Sequence, residues 1–214
     1  MAKADPVPPV SVAPDLRVRI LRQARLFLFT HGYARCTMDE LAAELGLSKK
    51  TLYVHFAGKD EILAAVVDDV AGEIRAEAEA LLRNPDLNFA AKLRGFVAGM
   101  AQRHAALKPQ TFRELQRFAP ALYRRIEEMR ARTLPYVFGR FVEVGQRDGL
   151  VRTDLPPGFA IEYFLHAMQG LLQPAVLERL QLAPPAVLGA GIDLFFGGLL
   201  TPAGRKQYEK IAPR

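Results

Sequence analysis

Six polar side chains suited to binding nucleic acid lie within eight residues of this chain: Ser48, Lys49, Lys50, Thr51, Tyr53 and His55. Leu52 and Phe56 are interspersed with them, and because these two residues are four apart they share one face of a helix. That face would pack inward and leave the polar side chains outside. Ammonium, hydroxyl and imidazole groups on an exposed helix face can bind phosphate oxygens and base edges.

The position of each polar side chain along this helix predicts its partner. Helices that enter the major groove contact base edges through their N-terminal residues. We therefore predict base contacts from Lys49 and Thr51. Lys50, Tyr53 and His55 are predicted to reach phosphates, which orient a protein without reading sequence. Two alternatives stay open: Tyr53 could be a half-buried packing residue, and His55 an ordinary surface histidine.

A second helix must precede this one to hold it in place. Thr37 can cap the N-terminus of that helix, and Glu40, three residues on, completes a capping box. Gly46 is expected to end the helix in the left-handed conformation. Ser48 is a second N-cap residue, which would start the next helix two residues later. The pattern from Thr37 onward therefore predicts a helix-turn-helix.

Residues 17–63 resemble the DNA-binding domain of the TetR/AcrR family of bacterial transcriptional repressors. The resemblance is carried by ILRQARLFLFTHGY, by TMDELAAELGLSKKTLYVHF and by AGKDEIL. It implies that residues matching Lys49 and Thr51 approach bases. It also implies contacts to the DNA backbone from four residues: Thr37, Tyr53, His55 and Lys59.

Two residues depart from the pattern of that family. Lys50 stands where the family usually has glycine, which lets the backbone approach DNA closely, so we expect the lysine side chain to replace a backbone contact. Cys36 stands where the family often has threonine. It is the single cysteine of the chain, so it cannot form an internal disulfide, which suits a reducing compartment. We predict an unreactive turn residue at Cys36, with a redox sensor as the alternative.

Length and charge agree with a DNA-binding protein without locating its site. A chain of 214 residues can form a small domain and a larger one, and the formal net charge of +6 suits a polyanionic partner. Arginines are also frequent between residues 113 and 132, far from the motif. No N-terminal signal segment and no apolar run of membrane-spanning length is found, which predicts a cytoplasmic location and no membrane partner.

We predict an all-α fold in three parts. Residues 1–14 contain four prolines and should form a disordered arm, for which a role in the minor groove is the alternative. Residues 15–58 form the helix-turn-helix DNA-binding domain. Residues 59–214 form an all-helical domain for ligand binding and dimerisation. A long helix from Lys59 to about Leu82 joins the two domains.

The segments after residue 88 are also predicted to be helical. Pro109 marks a break between two of them. Pro135 lies inside the segment from Pro120 to Arg147 and predicts a kink or an end near Leu134. No segment alternates with period two, so no strand is predicted.

Two late segments, IEYFLHAMQGLL and VLGAGIDLFFGGLL, are apolar on nearly all sides. Such helices must be buried on more than one face, and a second subunit would cover them. We predict that they meet their copies in an isologous four-helix interface, as the resemblance also implies. The core of a single protomer is the alternative. The predicted interface residues are Phe164, Met168, Leu172, Ile192, Phe195, Phe196 and Leu199.

The middle helices combine aromatic and flexible apolar residues with scattered polar groups, which is the composition of a small-molecule pocket. Ordinary core packing is the alternative for each residue, whereas the resemblance implies an inducer pocket in this region. The predicted lining residues are Phe96, Met100, His104, Phe112, Gln116, Tyr123, Phe138, Tyr163 and His166.

These features predict a ligand-responsive, homodimeric repressor that a small, largely apolar inducer releases from a palindromic operator in double-stranded DNA. No cofactor, metal or catalytic residue is predicted. The four histidines are scattered without HExxH spacing, and neither a Gly-rich phosphate loop nor GxSxG occurs, which disfavours an enzyme. A helical adaptor that uses its basic face on a membrane or a protein is the remaining alternative.

Overall fold

The computed structural model describes residues 15–105 and 109–211, and in those ranges it consists of α-helices and one isolated antiparallel bridge. The predicted all-α class is confirmed, whereas the predicted arm, residues 1–14, lies outside the described residues. The helices are α1 Leu16–His31, α2 Met38–Leu45, α3 Lys49–His55, α4 Lys59–Arg83, α5 Phe89–Ala105, α6 Pro109–Phe118, α7 Pro120–Arg147, α8 Pro157–Leu171, α9 Pro174–Leu180, α10 Pro184–Leu199 and α11 Pro202–Ile211.

The chain forms two compact units, the first ending at Val66 and the second beginning at Val67. The division therefore falls inside α4, and not before Lys59 where the sequence analysis placed it. Ile62 and Leu63 explain the difference, because both belong to the first unit and are fully buried. The first two turns of α4 are thus part of the core of the first unit.

The first unit is built on apolar faces of four helices. Six residues of α1, α3 and the position after α3 are buried, namely Ile20, Ala24, Phe27, Leu28, Leu52 and Phe56, whereas Leu21 of α1 is half-buried. Full burial of a Leu, Ile or Phe side chain contributes about 1.5–3 kcal/mol relative to its exposed state. The packing therefore determines which face of α3 is left for a partner.

The core of the second unit is a cluster of aromatic rings from α5, α7, α8 and α10. Phe96 lies 5.2 Å from Phe141, and Phe138 lies 5.0 Å from Phe164, measured between ring centroids. Phe164 in turn stacks on Phe195 at 4.6 Å. Such ring pairs contribute about 0.5–1.5 kcal/mol each beyond the burial of their area.

Helix α7 continues through Pro135 from Pro120 to Arg147. Of the two predicted alternatives, the end near Leu134 is therefore wrong, and the kink stays a prediction. Pro135 lacks the N–H of a regular helical hydrogen bond. The residues that follow it, Val137 and Phe138, are buried in the core of the second unit, and this packing offsets the cost of the proline.

Helix α11 is an element that the sequence analysis missed. The hydroxyl of Thr201 accepts a hydrogen bond from the N–H of Gly204 at 3.2 Å, and Pro202 occupies the first helical position. Both are signals of a helix start that are visible in the sequence. An antiparallel bridge between Val151 and Leu200 precedes the helix and holds its start against the end of α7.

Across residues 15–105 and 109–211, the helices are all too short or too polar to cross a membrane.

Candidate nucleic-acid interface

Helix α2 begins and ends where its cap residues predict. The hydroxyl of Thr37 accepts a hydrogen bond from the N–H of Glu40 at 3.2 Å. Gly46 adopts the left-handed conformation with a φ of 64°, and the next N–H, that of Leu47, reaches back to the carbonyl of Ala42 at 2.9 Å. This is the Schellman arrangement. The short turn therefore follows from local sequence.

Helix α3 begins with a hydroxyl pair. The Oγ of Ser48 accepts a hydrogen bond from the N–H of Thr51 at 3.0 Å. The same Oγ lies 2.8 Å from the Oγ1 of Thr51. Two hydroxyls have two protons, of which their mutual bond uses one. One O–H donor and several lone pairs therefore remain at this helix start for a base or a phosphate.

The two faces of α3 are divided as the sequence predicts. Leu52 and Phe56 are 0% and 1% exposed, respectively, while Tyr53 is 51% exposed. The predicted contact residues are all accessible to some extent: Ser48, Lys49, Lys50 and Tyr53 are exposed, and Thr37, Thr51, His55 and Lys59 are half-buried.

Val54 is an outward residue that the sequence analysis missed. It is 75% exposed, more than its neighbour Tyr53. The sequence places Val54 between Tyr53 and His55, two polar residues of the outer face, and this position could have predicted its exposure. If α3 enters the major groove as predicted, an exposed aliphatic group at this position can contact the methyl group of thymine.

A carboxylate holds the lysine that is predicted to read bases. The Nζ of Lys49 lies 2.7 Å from Oδ1 and 2.8 Å from Oδ2 of Asp39. This hydrogen bond raises the pKa of the Lys49 ammonium, which therefore stays charged. This pairing of Asp39 with Lys49 across the turn was not predicted from the sequence.

Two more cations lie on aromatic rings of the first unit. The guanidinium of Arg17 lies 4.3 Å above the ring of Phe56 and donates a hydrogen bond to the carbonyl of His55 at 3.4 Å. The Nζ of Lys59 lies 3.9 Å above the ring of Tyr33. Arg17 thus joins the C-terminal end of α3 although 38 residues separate it from His55.

Cys36 is a buried residue of the turn region. Its side chain is 0% exposed, and burial raises the pKa of its thiol to about 11. A redox sensor needs an accessible thiolate. These properties agree with the prediction of an unreactive residue and speak against the sensor. In the described ranges, no cluster of three or more His, Cys, Asp or Glu side chains could hold a metal ion.

The predicted pocket residues that the structure describes divide between the core and the surface. Phe96 and Phe138 are core residues at 0% and 3% exposure. Gln116, Tyr163 and His166 are exposed, and Met100 and Tyr123 are half-buried. The side chains of His104 and Phe112 lie outside the described residues.

Aromatic composition cannot separate a pocket lining from a filled core, and here the Phe rings fill the space themselves. Two surface concavities, of about 240 and 300 Å³, have other linings. Neither concavity contains a residue of the predicted pocket, which stays a prediction.

The predicted interface residues are also mostly core residues of one protomer. Six of the seven are buried: Phe164, Met168, Ile192, Phe195, Phe196 and Leu199. Leu172 is half-buried. The large apolar residues that α8 and α10 do expose are Phe159 at 60%, Tyr163 at 65% and Leu194 at 80%. The helices are apolar on two faces, as predicted. The sequence does not tell which face is buried in the core of the protomer and which is left exposed.

Comparisons with known proteins agree with this architecture. Residues 20–66 match the model of the family "Bacterial regulatory proteins, tetR family". The uncharacterized HTH-type transcriptional regulator YvaF of Bacillus subtilis is 23% identical over 181 residues, which cover 85% of this chain and 94% of the relative.

Solved structures share the fold over most of the chain. One is SmeT, the repressor of the Stenotrophomonas maltophilia multidrug efflux pump SmeDEF, with 21% identity, a TM-score of 0.57 and coverage of 89% and 93% of the two chains. Another is FadR from Bacillus subtilis in complex with stearoyl-CoA, with 16% identity, a TM-score of 0.57 and coverage of 85% and 98%. The matched segment contains α2 and α3 in full, with the capped turn and the outward polar face described above. Residues 20–66 thus match the DNA-binding domain of bacterial regulatory proteins of the tetR family, and the chain as a whole shares the fold of solved regulators of this kind.

Proposed function

We propose that the chain is a homodimeric repressor that binds a palindromic operator and leaves it when a small molecule binds the second unit. The observation that carries the proposal is the face of α3, which exposes Lys49, Lys50 and Tyr53 while Leu52 anchors the helix from behind. A helix held in this way can enter the major groove as a rigid body. Two proteins of similar fold support a repressor that a ligand releases from DNA: SmeT is a repressor, and FadR was crystallised with stearoyl-CoA.

Within this proposal, the residues of α3 divide by position. Lys49 and Thr51 at its N-terminus contact bases. Lys50, Tyr53 and His55 contact phosphates, and Lys50 replaces a backbone contact with its ammonium.

Two residues outside α3 complete the contacts to the DNA backbone. Thr37 presents the N-terminus of α2 to a phosphate, where backbone N–H groups and the helix dipole favour an anion. Lys59 contacts a phosphate from the start of α4.

The proposed dimer forms through the exposed apolar face of α8 and α10. Leu194 and Tyr163 are 80% and 65% exposed on it. Gly170 of α8 and Gly198 of α10 are exposed as well, and a Cβ added at either would meet no atom within 4 Å. The protomer itself therefore does not require glycine there. Small residues on an apolar face permit close approach of a partner helix, which supports an isologous four-helix contact.

DNase footprinting with the Leu194→Arg variant tests the operator and the dimer together. The unaltered protein should protect two half-sites whose centres lie roughly 34–36 Å apart. Leu194→Arg should sediment as a monomer and lose at least tenfold in affinity for the palindrome, because two linked half-sites then become one. The protomer should keep its fold, since Leu194 is 80% exposed.

Leu182→Arg is the matched control, because Leu182 is also exposed but lies outside α8 and α10. It should remain dimeric and protect both half-sites. Equal binding to random DNA with no protected palindrome would refute the proposed function. A dimer that persists in Leu194→Arg would refute the proposed interface alone.

Asp39→Asn is expected to raise affinity for unrelated DNA roughly three- to tenfold, as measured by fluorescence anisotropy at fixed salt. The substitution removes a negative charge from the DNA-facing surface and releases the ammonium of Lys49, which Asp39 holds at 2.7 Å. Because a released lysine also binds phosphates, the preference for the operator over unrelated DNA should fall.

Asp86→Asn changes the net charge equally and lies in the second unit, so it should leave DNA affinity unchanged. If Asp39→Asn weakened binding to all DNA, the carboxylate would be holding Lys49 in its binding position and not competing with DNA for it.

The signal from ligand to DNA is proposed to travel along α4, which contributes residues to both units. A ligand shifts DNA affinity only if it binds the DNA-competent and DNA-incompetent arrangements differently. A ligand that touches α4 can meet this requirement directly.

A further inference from the structure

One face of α4 and one face of α7 enclose a surface concavity of about 300 Å³. Its α4 side carries Asp68 and Arg75, and its α7 side carries Arg125, Glu128 and Arg132. The charged lining residues comprise three arginines and two carboxylates, so the lining has a net charge of +1. The volume lies at the small end of the range for ligand sites, which limits an occupant to a small molecule.

The carboxylate of Asp68 is already matched. Arg125 donates to it from both Nε and Nη2, the former at 3.2 Å, and this hydrogen bonding raises the pKa of the guanidinium. The pair is a fork-to-carboxylate contact that uses both oxygens of Asp68. Asp68 is therefore not available to neutralise the other arginines of the concavity.

Arg75 is held in place without a carboxylate. Its Nη2 donates to the Oγ1 of Thr133 at 3.3 Å, and its guanidinium lies 5.8 Å from the ring centroid of Tyr136. Thr133 is fully buried at 0% exposure and also lines the concavity. A guanidinium oriented by a buried hydroxyl keeps its remaining N–H donors in a fixed fork, which matches the two oxygens of a carboxylate or phosphate.

Arg132 faces the same concavity from α7 and is exposed. Within the described ranges, neither it nor Arg75 forms an ion pair with a carboxylate. Two arginines from different helices thus meet at one concavity. An anion bound there would link α4 to α7.

We propose that this concavity binds a small organic anion whose carboxylate or phosphate group is held by Arg75 and Arg132. This inference rests on the proposed function. The bound anion is the effector, and through α4 it shifts the equilibrium between the DNA-competent and DNA-incompetent arrangements. The aromatic interior, by contrast, is filled by its own rings, since Phe96 and Phe141 are both 0% exposed. This assignment replaces the largely apolar inducer expected from sequence with a charged one.

Thermal melts with two probes, inorganic pyrophosphate and glutarate, at constant ionic strength test the site. At a concentration roughly ten times its Kd, a bound probe should raise Tm by about 3 °C. Arg75→Gln and Arg132→Gln should each abolish the shift. Arg124→Gln should keep it, because this exposed arginine of α7 does not line the concavity. The probe that shifts Tm identifies the phosphate or the carboxylate as the preferred group.

The proposal fails if neither probe shifts the Tm of the unaltered protein, or if Arg75→Gln and Arg132→Gln shift as much as Arg124→Gln. Circular dichroism of each variant shows whether it is folded, and an Arg75→Lys variant that recovers part of the shift supports a charge contact. The melts contain no DNA, so they are independent of the footprinting result. If the probe stabilises the protein but leaves operator affinity unchanged at matched ionic strength, the effector role is overturned.

Discussion

Phe96→Ala is expected to lower the free energy of unfolding of the second unit by about 3–5 kcal/mol. Phe96 is 0% exposed and lies 5.2 Å from Phe141 and 5.9 Å from Phe138, measured between ring centroids. Removing the ring forfeits its burial, its ring contacts and the packing of the space it filled. Urea unfolding followed by circular dichroism at one protein concentration measures the loss.

The matched control is Phe118→Ala, because this phenylalanine of α6 is 57% exposed. It should cost less than about 1 kcal/mol. The comparison decides between two roles for Phe96 that its sequence context leaves open. If Phe96→Ala lowered the free energy of unfolding by less than about 1 kcal/mol and altered the response to ligand, Phe96 would instead be part of a pocket lining.

Lys49→Ala and Thr51→Ala are each expected to reduce the preference for the operator over unrelated DNA about tenfold to a hundredfold. Both residues lie at the N-terminus of α3, where a groove-bound helix meets base edges. Tyr53→Phe should instead weaken binding to all sequences alike, because a lost phosphate contact has no sequence preference. Competition binding with operator and scrambled duplexes at one salt concentration separates the two patterns.

The contact between Lys49 and Asp39 requires one more variant. Lys49→Ala leaves the Asp39 carboxylate unpaired on the same surface, so part of its effect would be repulsion of DNA. A double-mutant cycle with Asp39→Asn isolates the contribution of the lysine itself. If Lys49→Ala weakened every duplex equally in the Asp39→Asn background too, Lys49 would not read bases.

The caps of the helix-turn-helix are the part of the site most completely predicted by sequence. Thr37, Gly46 and Ser48 act on backbone groups within a few residues of themselves. No distant part of the chain is needed to satisfy them. For the same reason, the missed helix α11 was predictable from Thr201 and Pro202, since its start depends on equally local signals.

Contacts across elements could not be predicted in the same way. Asp39 meets Lys49 because the turn at Gly46 sets the angle between α2 and α3. Arg17 meets the carbonyl of His55 across 38 residues of chain. Nothing in the residue types favours these partners over others, and only the packing of the first unit brings them together.

For α8 and α10, sequence alone determined that each helix has more apolar surface than one face can bury. It could not determine their rotation, because a helix that is apolar on all sides has no preferred inward face. The tertiary structure decided it: Phe164 and Phe195 stack inward at 4.6 Å, while Leu194 stays 80% exposed. The reason is shape complementarity with the rest of the core, including the ring of Phe138 on α7, which depends on residues far away in the chain.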